Sequence, residues 1–241
     1  MRKAEWRVER VSSVGSTNDL VAARARAGEP EGLVVVADFQ EAGRGRRDRT
    51  WVAPPGSALL SSYLLSPPLS VEERHWALVA VALSARAALN SYGAVDLKWP
   101  NDLLVGEKKL GGLLAQVVEE SVVVGLGLNV RRPDSGLVGA TSVEESWGVV
   151  VSRDELLENV LDELGPRREL LNSVAGRDAV REEYRGALAT LGRRVRCQLD
   201  VGVVTGLARD VDERGCLLVE GDEGMRTVAA ADVVHLRGEE S

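Results

Sequence analysis

The texture of the chain changes at Leu191-Gly192, and that break limits the possible fold more than any other feature. Beyond it, residues 194–199, 203–211, 216–220, 226–229 and 233–236 are short runs of strand formers separated by Asp-Glu-Arg-Gly and Gly-Asp-Glu-Gly turns. Turns this tight between runs this short build antiparallel hairpins. Five such strands form a small β-barrel of a size that is marginal alone, so it is expected to dock on what precedes it.

Before the break, helix and strand signals alternate. Residues 19–27 read as a helix, with Ser16, Thr17 or Asn18 as cap and Gly28 as stop. Residues 32–39 and 58–65 are apolar runs that read as buried strands. Ser70 and Glu73 form a capping-box pattern that opens an alanine-rich helix to residue 90. Short strands follow at 96–99 and 102–105 around Pro100, then an antiparallel pair at 112–119 and 122–130. Residues 153–164, capped by Ser152 and Glu155, and residues 178–189 complete the helices. The expected class is α+β, a mixed β-sheet flanked by helices in residues 1–190, with the small β-domain in residues 191–241.

Composition excludes several functions. Net charge is −7, which disfavours a general binder of phosphate backbones. No run approaches the roughly 18–20 apolar residues of a membrane span, and no apolar segment follows the charged start as in a signal peptide. Cys197 and Cys216 form neither a disulfide framework nor a metal-ligand spacing, and the cytoplasm is the expected compartment. Within this acidic chain, Arg44, Arg46, Arg47 and Arg49 are clustered. Taken alone the cluster reads as a solvated basic loop, and an anionic ligand is the alternative.

Five short segments carry candidate chemistry. In Gly43-Arg44-Gly45-Arg46-Arg47-Asp48-Arg49-Thr50-Trp51 the glycines admit close approach of a ligand, the arginines offer forked donors to carboxylate or phosphate, and Trp51 offers a stacking face. With so little to bury, this loop is expected to be mobile until an anion binds. It lacks the Gly-Lys-Ser/Thr ending of a P-loop. In Lys98-Trp99-Pro100-Asn101-Asp102, Asp102 could hold Mg2+ and Asn101 could bond a ligand, or the segment is a plain turn. Lys109 precedes Gly111-Gly112, where a compact positive charge can meet a carboxylate or α-phosphate, as an exposed turn lysine also would. Gly125-Leu126-Gly127-Leu128-Asn129 has no following helix and so fails as a dinucleotide fingerprint, but its glycines mark a close approach on a strand. Ser16-Thr17-Asn18 at a helix start can bind polar ligand atoms or simply cap. His75 and His235 lie near no nucleophile and read as structural, and Glu29, Glu31, Glu239 and Glu240 read as solvated charge.

The order and spacing of these five segments, across residues 12–132, resemble the biotin–protein ligase family, and the closing β-segment resembles that family's SH3-like C-terminal domain. The resemblance implies a catalytic domain of the class II aminoacyl-tRNA synthetase/biotin ligase-like type. It also implies joining of biotin to ATP as biotinyl-5′-AMP, with Mg2+, and transfer of biotin to a lysine of the biotin carboxyl carrier domain of a carboxylase. By position, Ser16, Thr17, Asn18, Gln40, Gly112 and the backbone at Gly43 and Arg44 would meet biotin. Arg44, Arg46 and Arg49 would close over the intermediate and its phosphate, Trp51, Asn101 and Asn129 would serve the nucleotide, and Lys109 would meet the biotin carboxylate and the reacting phosphate. Arg46 and Lys109 are the implied catalytic pair.

Leu113 departs mildly from the isoleucine common in the family, a volume-conserving change. Only 11 residues precede Ser12-Ser13, so no N-terminal helix-turn-helix and no DNA binding are expected, and the chain is expected as a monomer or weak homodimer. A lipoate–protein ligase of the same fold and a non-catalytic biotin sensor are the competing readings.

Overall fold

A computed structural model describes residues 6–47, 49–131, 139–229 and 231–236. Asp48, Glu239 and Glu240 lie outside the described residues. The chain runs β1 (Arg7–Val14), α1 (Thr17–Arg26), β2 (Leu33–Gln40), β3 (Ala58–Leu65), α2 (His75–Leu89), β4 (Asp96–Lys98), β5 (Asp102–Val105), β6 (Lys108–Val118), β7 (Ser121–Asn129), α3 (Val143–Trp147), α4 (Arg153–Leu170) and α5 (Val174–Ala187). Then come β8 (Arg194–Gln198), β9 (Val203–Val211), β10 (Leu217–Gly221), β11 (Gly224–Val228) and β12 (Asp232–His235). The first seven strands form one sheet in the order β1-β2-β3-β7-β6-β5-β4, parallel only between β1 and β2.

The two-residue period of the central strands sorts this sheet into two faces. On β2, Leu33 and Val35 pack with Val21 and Ala22 of α1, while Val34 and Val36 join the larger core with α2. On β3, Leu64 faces α1 while Leu59, Tyr63 and Leu65 face α2. Both faces are therefore covered, and every residue of β3 is buried. Helix α2 is buried almost all round because α4 and α5 cover the side that the sheet does not.

Strand β1, the short helix α3 and the far end of α4 escape the sequence patterns. Strand β1, Arg-Val-Glu-Arg-Val-Ser-Ser-Val, lies at a sheet edge, where half of its side chains meet solvent and its three valines are spaced too widely to make an apolar run. Helix α4 runs six residues past its expected end, straight through Pro166. A proline there removes one backbone donor, but Leu164 and Arg168 continue the buried stripe. Arg168 is 8% exposed, and its guanidinium meets both carboxylate oxygens of Glu31 and bonds Asn172 Oδ1 at 2.7 Å. Glu31 is thus not solvated charge: it also accepts from the Ser66 N–H at 3.0 Å and ties α4 to the loop before β2.

The last five strands form an antiparallel sheet in the order β11-β10-β9-β8-β12. Its inward residues, among them Val195, Cys197, Ala208, Leu217 and Val233, belong to the same contiguous core as α2 and the main sheet. Two tryptophans fasten the junction from below. Trp76 Nε1 donates to the Glu213 carbonyl at 2.8 Å, and Trp99 Nε1 donates to the Gly215 carbonyl at 2.9 Å. The Gly215 Cα sits against the His75 ring, with φ +77, so a Cβ there would lie 2.2 Å from a ring carbon. Burial, and after it the nearby Arg46 charge, lowers the His75 pKa to about 4. Cys197 and Cys216 are free thiols, both pushed up by burial. No helix among the described residues is long and apolar enough to cross a membrane.

Candidate active site

A cavity of about 470 Å³ opens on the α1 face of the main sheet, within the usual range for a small-molecule site. The start of α1 forms one end of it. Ser16, Thr17 and Asn18 are each 4–5% exposed, and Ser16 holds the N-cap position without a side-chain capping bond. The Thr17 N–H donates to Gln40 Oε1 at 2.8 Å, and Thr17 Oγ1 lies 3.0 Å from the same oxygen. Ser62 Oγ lies 2.8 Å from Thr17 Oγ1 and 2.6 Å from Asn18 Oδ1, while Asn18 Nδ2 donates to the Leu114 carbonyl at 3.0 Å. Because Asn18 Oδ1 can only accept, the single Ser62 proton goes there. This end of the cavity is polar, uncharged and held rigid by its own bonds.

The floor explains the alternation in Gly125-Leu126-Gly127-Leu128. Leu126 and Leu128 point into the α2-side core, so Gly125 and Gly127 face the cavity. A Cβ on Gly125 would lie 2.3 Å from Asn18 Oδ1, and one on Gly127 would lie 2.7 Å from Cε2 of Trp51. The glycines are the space that these two side chains occupy. Gly112, on the neighbouring strand β6, likewise borders Lys109 and Asp102.

Loop 43–51 folds as a small hairpin rather than an open strap. Gly45 N donates to the Arg49 carbonyl at 2.7 Å, Trp51 N donates to the Gly43 carbonyl at 2.9 Å, and Arg44 bridges Thr50. A Cβ on Gly43 would lie 2.4 Å from the Trp51 carbonyl oxygen, which accounts for that glycine. Trp51 packs on Ala53, Ala58 and Leu60 and carries the Lys109 ammonium 5.9 Å from its ring centroid.

The other end is cationic. Arg46, Arg49, Lys98 and Lys109 all border the cavity, against the carboxylates Asp102 and Asp232. Lys109 Nζ meets Asp102 Oδ1 at 2.5 Å. Burial lowers the pKa of Arg46, with Arg47 and Arg49 adding to that, and burial also lowers Lys98, helped by Lys109. Cations held together in this way are stabilised by an anion among them. Among the described residues no three His, Cys, Asp or Glu side chains are grouped to hold a metal. Asp102 stands as a single carboxylate already engaged by Lys109, which suits only an ion that brings its other ligands with it.

Of the residues singled out from the sequence, Ser16, Thr17, Asn18, Gln40, Arg44, Arg46, Arg49, Trp51, Asn101, Asp102, Lys109 and Gly112 border this one cavity. Arg44 turns outward to Asp19 at 2.8 Å. Asn101 is partly committed, since its Nδ2 donates to the Leu113 carbonyl at 2.7 Å. Gly43 and Asn129 are not on the cavity wall. Asn129 is buried at the end of β7, with Nδ2 donating to the Thr141 carbonyl at 3.0 Å.

Sequence reasoning passed over Ser61 and Ser62, whose polarity in an otherwise apolar strand was the available signal. It gave Lys98 no role, although the residue stood in a quoted motif. It also missed residues 231–234 of the C-terminal sheet, which form the remaining wall and carry no local signal.

Comparison with known proteins agrees with this geometry. The biotin/lipoate A/B protein ligase family matches residues 11–131, and the biotin protein ligase C-terminal domain matches residues 190–236. The chain is 36% identical to the biotin–acetyl-CoA-carboxylase ligase of Mycobacterium tuberculosis, over 96% of this chain and 90% of that one. It is 31% identical to the enzyme of the same name from Paracoccus denitrificans, over 83% and 88%. Its fold matches the biotin protein ligase of Aquifex aeolicus in complex with biotin and ATP at a TM-score of 0.83 and 25% identity, over 95% of this chain and 99% of that one. A glycine-floored cavity with one uncharged and one cationic end, both domain matches and these relatives agree: the chain belongs to the biotin protein ligases of the biotin/lipoate A/B protein ligase family.

Proposed function

We propose that the chain activates biotin with ATP to biotinyl-5′-AMP and passes the biotin to a lysine of a biotin carboxyl carrier domain. The observation that carries this reading is the polarity of this cavity, uncharged donors and acceptors at one end and four cations at the other. A small acid with a polar, uncharged ring fits that gradient with its carboxylate turned toward the cations. Ser16, Thr17, Asn18 and Gln40 take the ring, with Gly112 and the backbone at Gly43 and Arg44 beside it. Gly125 and Gly127 are successive same-face positions of one strand, about 7 Å apart, so Asn18 and Trp51 serve adjoining subsites.

In the first step a carboxylate oxygen of biotin attacks the α-phosphorus, the bond to the β-phosphate oxygen breaks, and pyrophosphate leaves with its electron pair. Two anions must be brought together, so fixed positive charge is the main requirement. Lys109 meets both the carboxylate and the phosphate, and Arg46 and Arg49 hold the phosphate oxygens. Trp51 stacks on the purine, Asn101 lies beside the nucleotide, and Asn129 Oδ1 is the atom to accept from an adenine amino group. Asp102 would be the protein carboxylate for a Mg2+ ion carried by the triphosphate, which would supply further charge neutralisation. In the second step a neutral lysine amine attacks the acyl carbon, the carbon–oxygen bond to AMP breaks, and an amide forms with loss of one proton. The net charge of −7 supports a reading without sequence-specific DNA binding, which an operator-type mobility shift at physiological salt would overturn.

The test is incubation with biotin, Mg-ATP and a carrier domain, read as the mass gain of one biotinyl group, with lipoate as competitor. Biotin-dependent gain that lipoate does not suppress supports the reading. Absence of both adenylate and transfer would remove it.

A further inference from the structure

Ser62 ties the uncharged end of the cavity together from behind. It sits on β3, a strand buried along its whole length, is itself fully buried, and does not border the cavity. Its Oγ lies 2.6 Å from Asn18 Oδ1 and 2.8 Å from Thr17 Oγ1, and both of those residues do border the cavity. A hydroxyl at such a position costs stability unless it is paired, and these two contacts are its pairing.

The partners fix which atom carries each proton. The Leu114 carbonyl can only accept, so the Asn18 nitrogen faces it at 3.0 Å and the Asn18 oxygen faces Ser62. The Thr17 N–H can only donate, so the Gln40 atom that meets it at 2.8 Å is the oxygen. Ser62 has one proton, which Asn18 Oδ1 takes. The Thr17 hydroxyl then stands between two acceptors, Ser62 Oγ at 2.8 Å and Gln40 Oε1 at 3.0 Å, and its own proton goes to one of them. In either case Thr17 Oγ1 offers only lone pairs to the cavity. Resting on the biotin-activating reading above, we propose that Ser62 is a positioning residue for the ring end of the site: without touching the ring, it holds Asn18 by its proton and Thr17 by its lone pair, so that both present one fixed pattern of donors and acceptors. A ligand N–H then meets an acceptor at Thr17. A hydroxyl and an amide without this tether would have to be ordered by the ligand, at a cost in affinity. Gly125, paired with Ser62 across the sheet, completes the arrangement, because Asn18 occupies the space its Cβ would take.

Titration calorimetry with biotin alone reads this end of the site without ATP or turnover, and ATP–pyrophosphate exchange adds KM for ATP and kcat. Ser62→Ala leaves Asn18 Oδ1 without its donor. It is expected to weaken biotin binding about tenfold, the equivalent of one buried hydrogen bond, with KM for ATP and kcat within about twofold of wild type. Ser62→Cys, of similar size with a weak S–H donor, falls between the two and carries the same comparison if Ser62→Ala does not fold. Ser84 controls for burial alone: it is equally buried on α2, where its Oγ donates to the Ala80 carbonyl, and Ser84→Ala leaves biotin binding within about twofold of wild type. Because Ser62 acts through Asn18, adding Ser62→Ala to Asn18→Ala weakens biotin binding by less than about threefold more.

The proposal is overturned if Ser62→Ala binds biotin like wild type, if it weakens biotin and ATP alike, or if its effect adds in full to that of Asn18→Ala. A wild-type chain that binds no biotin removes the ligase reading and this role together. Biotin binding that survives Ser62→Ala unchanged removes this role alone.

Discussion

Replacing Gly127 with alanine isolates the end of the site proposed to hold the nucleotide. The new Cβ would stand 2.7 Å from Cε2 and 2.8 Å from Cζ2 of Trp51, where carbon contacts settle at about 3.5–4.0 Å. The indole must therefore move by about 1 Å. It can do so cheaply, because Trp51 is partly exposed, packs on a small cluster, and has a buried Nε1 with no hydrogen bond to lose. Folding stability should change by less than about 1 kcal/mol, since glycine to alanine also lowers the entropy of the unfolded chain. Loss of a stacking contact of about 1–1.5 kcal/mol corresponds to about a tenfold weaker hold on ATP.

Gly125→Ala, two residues earlier on the same strand, is the internal control. Its Cβ would lie 2.3 Å from Asn18 Oδ1, and Asn18 cannot retreat without breaking its bonds to Ser62 and Leu114. That change should raise KM for biotin and lower stability by about 1–3 kcal/mol, the cost of unpairing a buried polar group. ATP–pyrophosphate exchange gives both constants, and thermal unfolding gives the stability. A Gly127→Ala protein with wild-type KM for ATP, or two variants that shift the same constant, would refute this account of the floor.

Lys109→Ala should slow adenylate formation about 100-fold while leaving the melting temperature nearly unchanged, because the side chain is 40% exposed and serves charge rather than packing; single-turnover formation of adenylate measures it. Arg46→Gly removes the bonds to Ala231 and Asn101 and should release biotinyl-AMP, seen as biotinylation of unrelated lysines in a bystander protein. Acid should loosen the junction at His75, whose ring packs with Trp76 and Tyr184 among the charges of Arg46 and Asp212. A folded pKa of about 4 against about 6.5 unfolded means the unfolded state binds more protons between those values. That stability is complete above about pH 6.5 and is lost as pH falls, by about 1.5 kcal/mol between pH 6.5 and 5. His75→Phe should flatten this limb in urea unfolding, leaving the smaller part due to His235, which burial and then Lys98 lower to about 4 as well.

What could be read from the sequence follows from the range of the forces involved. The α+β class and the small C-terminal β-unit were legible because each strand and turn is written in consecutive residues: Leu33–Gln40 in its valines, and the closing sheet in its Asp-Glu-Arg-Gly and Gly-Asp-Glu-Gly turns. Strand β1 was not, because an edge strand half in solvent has no apolar run to recognise. The far end of α4 was not, because what carries it past Pro166 is the ion pair of Arg168 with Glu31 on another element.

The site divides the same way. Glycine patterns record what backbone must avoid, so Gly125 and Gly127 announced close neighbours, but only the fold names them as Asn18 and Trp51. Charge patterns record less. Arg46, Arg47 and Arg49 look like a solvated cluster in sequence because the groups that receive them, the Ala231 carbonyl and the Asp232 carboxylate, are more than 180 residues away in ordinary turn and strand positions. A carboxylate that neutralises a distant loop leaves no periodicity at either end. It follows that in this fold the small C-terminal sheet is part of the cavity wall, and that its contribution enters through one strand end rather than through its core.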